Sequence, residues 1–232
     1  MDVISIESLY QSVKEIISKD KAGYFSSDEF NARSKRAEIM LWNFYAKHYD
    51  EHGVIPDAMY PFNRVQVQSL DANTQFDLPD NFGRRTNCYY LKTKTVAGSA
   101  PSTEKVPMVF LEKEEEQLTL NSAVRGPSID KKRLYYSYVN AKGQVYPEGL
   151  KGPVRFEYLS MPTFGVRGFT VNDTTLEEEP DSGSTTDYQW PVKEQPNLED
   201  LIALQYGVML KQTDILTWAS SQIGDSRNIS KL

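Results

Sequence analysis

The sequence predicts an α+β fold: a helical bundle formed by N- and C-terminal helices (residues 1–63 and 188–232) with an inserted antiparallel β domain (64–187). Three observations carry that expectation. Apolar residues recur at helical spacing near the two ends of the 232-residue chain, and alternating, tyrosine-rich runs fill its middle. Neither end can bury its apolar stripes alone, so the two ends are expected to pack on each other.

The first helix is marked by Ile6, Leu9, Val13, Ile16 and Ile17 on one stripe, with Ser5 or Asp2 as its cap and Gly23 beyond its end. Ser26-Ser27-Asp28-Glu29 then reads as a capping box, with Phe25 and Phe30 at the two positions of a hydrophobic staple. The helix it opens carries Phe30, Ala37, Leu41, Phe44, Tyr45 and His48 along one face, while Ile39, Met40 and Trp42 lie off it. Such a helix packs against more than one neighbour. Its pattern stops at Gly53.

From about residue 65 to 162 the period changes to two. Strands are expected over 86–95, with Cys88 and Tyr90 on one side, over 106–111, and over 154–158. Residues 134–139 and 144–146 read as a hairpin with Gly143 supplying the positive φ. A short helix over 112–122 turns its charge run to solvent. Segment 177–187, rich in acids and hydroxyls, reads as a mobile acidic loop. Asn197 caps a C-terminal helix, and Thr213-Asp214 restarts a short fourth one that carries Trp218.

Composition narrows the function classes. With 26 basic and 32 acidic side chains the formal charge is −6, and no long basic run offers a grip on phosphates. A single cysteine, Cys88, leaves no disulfide framework and no cysteine zinc cage. No stretch approaches the roughly 18 apolar residues of a membrane span, and Met1-Asp2-Val3 lacks the start of a signal peptide.

Two motifs touch metal chemistry. His48-Tyr49-Asp50-Glu51-His52 matches H-x-x-E-H, the pattern of a zinc hydrolase with two imidazole ligands and a glutamate base. It sits at the end of its helix, where histidines also complement the carbonyl end. Residues 18–30 can be laid on a calcium loop with Gly23 and Glu29 in place, but Ser18 and Ala22 stand where oxygen-rich ligands are needed. No phosphate loop or nucleophile elbow appears. The expectation is therefore a protein that is not an enzyme and needs no cofactor. A metal-dependent hydrolase on His48, Glu51 and His52, and a carbohydrate- or receptor-binding module on the tyrosines around Tyr135 and Tyr138, are the alternatives.

The order of short motifs resembles a known group. Leu9-x3-Val13-x2-Ile16-Ile17-x-Lys19-x-Lys21-x-Gly23-Tyr24-x3-Asp28-Glu29-Phe30-Asn31 resembles the helix–turn–helix opening of ring and adaptor proteins of the head–tail connector in crAss-like and related tailed phages. Gln75-Phe76-Asp77-Leu78-Pro79-Asp80, Gly126-Pro127-Ser128, Gln144-Val145-Tyr146-Pro147 and Trp190-Pro191 follow in the same order. Ser27 departs from the proline usual there. The plan is also similar to tail adaptors of short-tailed phages.

That resemblance implies a virion structural protein, made in the host cytoplasm, that forms a ring of about twelve copies by heterologous contacts. Its partners would be itself, the portal protein and neighbouring connector or tail rings. DNA would pass its acidic wall without specific binding, and no membrane would be involved. The implied subunit interface is Phe25, Phe30, Ile39, Met40, Trp42, Tyr45, Trp190 and Trp218.

Overall fold

The computed structural model describes residues 2–19, 26–94 and 102–210. It begins with helices α1 (Ile6–Lys19) and α2 (Ser27–His52). Ile6, Leu9, Val13 and Ile17 of α1 are buried, as their spacing predicts. The α1 cap is not local: the Ile6 amide donates to Asp187 Oδ1 at 2.9 Å, from 181 residues away. At the start of α2, Ser26 Oγ accepts the Glu29 amide at 3.2 Å. Its end is closed by Gly53, left-handed at φ 68°, whose N–H donates to the Tyr49 carbonyl at 2.7 Å. Residues 20–25 of the calcium-like loop, Phe25 among them, and the restart carrying Trp218 lie outside the described residues.

A 3-10 turn, Asp57–Phe62, leads into strands β1 (Asn63–Ser69), β2 (Gln75–Asp77), β3 (Phe82–Lys94) and β4 (Ser102–Phe110). Helix α3 (Lys113–Leu120) and strands β5 (Leu134–Val139), β6 (Lys142–Tyr146) and β7 (Pro153–Ser160) follow. These seven strands form one sheet in the order β1-β7-β3-β4-β5-β6-β2. Beyond it come the β8 (Phe169–Val171) and β9 (Glu178–Pro180) hairpin, a 3-10 turn at Val192–Glu194, and α4 (Gln195–Leu210). The chain divides into two compact units, Met1–Phe62 with Met161–Leu232, and Asn63–Ser160.

The seven-stranded sheet curls until its edges approach. Gln68 on β1 donates from Nε2 to the Asp77 carbonyl on β2 at 2.6 Å, joining the two ends of the strand order. The Phe76 ring of β2 reaches Phe156 of β7 at 5.3 Å. Inside the curl, Phe76, Cys88, Tyr90, Val106, Met108, Leu134, Tyr136, Val145, Val154 and Phe156 make one core. The β5–β6 hairpin forms as expected, but Asn140 (φ 51°) and Ala141 (φ 60°) carry the positive φ. Gly143 stands instead opposite Phe76, whose ring occupies the space a Cβ would fill.

These findings correct the expected fold class. The protein is a mixed α+β chain dominated by a nearly closed, barrel-like sheet, not a helical bundle with an inserted antiparallel β domain. The sheet is not wholly antiparallel either, because β4 and β5 run parallel, Met108 paired with Leu134. The reason lies in what the helices bury. Against α2 sit Tyr188 and Trp190, both almost fully buried and both outside any helix. That segment pairs with the extended N-terminus: Ile4 donates its amide to the Trp190 carbonyl at 3.0 Å, and Tyr188 donates to the Ile4 carbonyl at 3.2 Å. Helices α1 and α2 do pack on α4, but part of their apolar surface is met by this strand-like segment, which periodicity alone does not reveal.

The C-terminal helix also begins earlier than Asn197, at Gln195, with Asn197 Nδ2 donating to Glu194 Oε2 at 2.8 Å. In the acidic segment 177–187 the structure places β9 and gives its carboxylates specific partners. Glu178 Oε2 accepts the Ser27 amide at 2.9 Å, and Asp187 caps α1.

Candidate functional site

Helix α2 is the element on which sequence and structure both concentrate, and its two sides differ. The inner side buries a polar row among Phe30, Ala37 and Leu41: Arg33, Ser34 and Glu38. Each is answered from the distal part of the chain. Ser34 and the Tyr188 hydroxyl share a hydrogen bond of 2.5 Å. The Arg33 guanidinium lies 4.3 Å from the Tyr206 ring centroid. Glu38 Oε1 accepts the Gly165 amide at 2.9 Å.

The Glu38 carboxyl is wholly buried, and burial pushes its pKa from 4.5 up to about 7 against the opposing pull of the Gly165 amide and the Trp190 indole. The indole N–H approaches without closing a hydrogen bond of normal geometry, leaving Trp190 Nε1 and Glu38 Oε2 buried and unpaired.

A second buried charge ties the helix starts together. Arg167 donates from Nε to Glu7 Oε2 of α1 at 2.8 Å and from Nη1 to Ser27 Oγ of α2. The same Nη1 lies 3.8 Å from Glu178, and the guanidinium stacks 3.9 Å over the Tyr10 ring. Asn31 exchanges two hydrogen bonds with the Arg167 backbone, at 2.8 and 3.1 Å. Burial raises the Glu7 pKa, but the hydrogen bonds of Arg167 and Gln11 and the Arg167 charge outweigh it, so the carboxyl sits below its ordinary value. No sequence pattern flags Arg167, because every partner but Glu178 is more than a hundred residues away in the chain and Glu178 joins through the fold.

The outer side of α2 is different. Met40 is 40% exposed and Phe44 37% exposed, one turn apart, with Ile39 half-buried beside them. Gln205 of α4 donates to Met40 Sδ at 3.2 Å, and the Phe44 ring meets Tyr45 edge-on at 5.3 Å. Among the other residues of the implied interface, Phe30, Trp42 and Trp190 are buried within their own unit and so present nothing to a partner. Tyr45 is half-buried and donates to Glu194 Oε2 at 2.6 Å. Phe25 and Trp218 lie outside the described residues. In the sheet unit, Val65 and Val67 on one face of β1 are also half-exposed.

The histidines close the last turn of α2. The His48 and His52 rings stand 4.4 Å apart, tilted by 55°. Glu51, the residue a hydrolase would use as base, pairs instead with Lys47 at 3.8 Å on the helix surface. Among the described residues no group of three His, Cys, Asp or Glu side chains is placed to hold a metal ion. Among them, too, no helix is long and apolar enough to cross a membrane.

No protein-family model matches the chain, and no curated protein sequence does.

The tyrosines turn out to fill the curled sheet. Tyr90, Tyr136 and Tyr158 belong to the core, and two of their hydroxyls have partners at its rims: Tyr90 donates to the Lys151 carbonyl at 2.7 Å and Tyr158 to Asn81 at 3.1 Å. Tyr146 donates to Glu116 of α3 at 2.5 Å. Tyr138 packs its ring 4.9 Å from Phe110. Tyr135 spends its hydroxyl on the Arg125 carbonyl at 2.8 Å.

Proposed function

We propose that this chain is a structural virion protein that works by assembly: a ring subunit of the phage head–tail connector that links portal to tail and lets DNA pass without specific binding. The observation that carries the reading is the outer side of α2, where Met40 and Phe44 expose adjacent apolar side chains beside the exposed polar residues Arg36, Asn43 and Lys47. The resemblance of its motifs, in order, to connector ring and adaptor proteins supports the virion setting. The acidic balance of 32 against 26 suits a wall that DNA slides past.

Native mass spectrometry and negative-stain microscopy of the full chain, alone and with a portal ring, test the proposal. Rings of about twelve copies are expected. The paired substitution Met40→Lys with Phe44→Glu reduces them to monomers while leaving the thermal melt in place, because both side chains are surface groups. A chain that stays monomeric beside a portal and is absent from purified particles refutes the reading.

A further inference from the structure

We infer that His48 and His52 form a two-nitrogen chelate for a divalent transition metal, a non-catalytic site on the end of α2 that favours Cu(II) and Ni(II). The argument begins with spacing. Residues four apart stand over one another on a helix, and here the two rings are centred 4.4 Å apart with planes tilted by 55°. A metal in the plane of an imidazole, at the usual metal–nitrogen distance, sits about 3.2 Å from the ring centroid. Two centroids 4.4 Å apart then subtend roughly 90° at the metal. That is the angle between neighbouring ligands in square-planar or octahedral sites, the geometries of Cu(II) and Ni(II). Tetrahedral zinc would need the rings opened to about 5 Å.

The surroundings fit a bound cation. The pair lies at the carbonyl end of a 26-residue helix, whose partial negative charge favours positive charge. Asp50 and Glu51 are exposed on the same turn. His52 is exposed and His48 half-buried, so the site opens to solvent on one side, where water completes the coordination. Among the described residues no third side chain is placed to join the two imidazoles, and Glu51 lies instead 3.8 Å from Lys47. This separates a two-histidine chelate from the three-part hydrolase site that the H-x-x-E-H spacing suggests.

The test is a titration of the untagged full chain with Cu(II), Ni(II) and Zn(II) salts, with electron paramagnetic resonance of the copper form. One copper per chain is expected, with nitrogen hyperfine structure, bound more tightly than nickel and zinc. His48→Ala and His52→Ala each weaken copper binding roughly a hundredfold, because either one turns an intramolecular second contact into none. Glu51→Gln leaves copper affinity within about threefold, as for a charge outside the ligand set. Since His52 is an exposed side chain at a helix terminus, its loss does not unfold the chain, and a circular-dichroism melt checks this. The inference is overturned by copper binding that survives either histidine substitution, by no saturable binding, or by a Glu51→Gln loss as large as that of the histidines.

Discussion

Replacing Glu38 by glutamine should change how stability depends on pH. Glu38 is wholly buried on α2 and its pKa is pushed from 4.5 up to about 7 by burial. The folded chain therefore holds a proton there that the unfolded chain has already released between those two values, and stability falls as pH rises through that window. Below the window the group costs nothing, and above it the folded state carries a buried carboxylate. At about 1.4 kcal/mol for each tenfold change in proton affinity, the loss across the window amounts to about 3 kcal/mol. In the Glu38→Gln variant the new side chain keeps a carbonyl for the Gly165 amide but cannot ionise. It also sets an amide N–H2 near the Trp190 indole N–H, two donors facing each other, so at acid pH the variant is the weaker protein by about 1 kcal/mol. Urea denaturation of both proteins from pH 4.5 to 8.5 reads the difference, in which the other titrating groups cancel; Asp200, whose burial followed by the Glu199 charge raises its pKa to about 6, is common to both chains. The variant should move from less stable to more stable than the parent as pH rises. A difference that stays level over the whole range would refute the reasoning, since it would mean that Glu38 keeps the same charge throughout.

Three further outcomes follow from the packing. Arg167→Met leaves Glu178 and Glu7 facing each other without their cation and should lower stability by about 3–5 kcal/mol in denaturant melts, with hydrogen exchange accelerating first in the opening turns of α1 and α2. Gly143→Ala drives a methyl into the Phe76 ring and should cost about 1–3 kcal/mol; most of that cost is recovered when Phe76 is shortened to Leu in the same chain. The isolated segment Asn63–Ser160 should fold by itself, because its core is built from its own strands and its two ends meet in the ladder, Asn63 opposite Leu159. Dispersed amide proton shifts and a cooperative melt of that fragment are the expected readout, and a collapsed spectrum without shift dispersion counts against it.

The parts of this fold that were legible in the sequence are those whose partners lie close along the chain. The α1 stripe, the Ser26 cap, the Gly53 stop, the inward side of Cys88 and Tyr90, and the β5–β6 hairpin all rest on neighbours within a few residues or on a fixed period. What escaped was long-range. Asp187 caps a helix that starts at Ile6, and Tyr188 and Trp190 are buried core against α2. Gly143 shows the limit on a smaller scale: a glycine beside a turn reads as the turn residue, yet its role here is to admit the ring of Phe76 from a strand that pairs with it across sixty-seven residues of chain. The same limit applies to the residues of the proposed interface. Counting apolar side chains on α2 identifies Ile39, Met40 and Trp42 alike, but only the packing shows that Trp42 is inside and Met40 outside.

That difference bears on how an assembly surface is found. A helix with apolar residues all round is ambiguous between a buried element and one that meets a partner, and on α2 the two sides are told apart by polarity rather than by greasiness. The inner side carries Arg33, Ser34 and Glu38, each of which meets at least one group from the distal part of the chain, Tyr206, Tyr188 and Gly165, which offsets part of the cost of burying it. The outer side carries Met40 and Phe44, adaptable side chains that touch Gln205 and Tyr45 and keep over a third of their surface open. A surface that forms only on assembly is expected to look like the second, because it must stay soluble before the contact and pack after it. Within α2, then, the polar inner row fixes the fold of its own unit, and the proposed assembly contact rests on the sparse apolar outer pair.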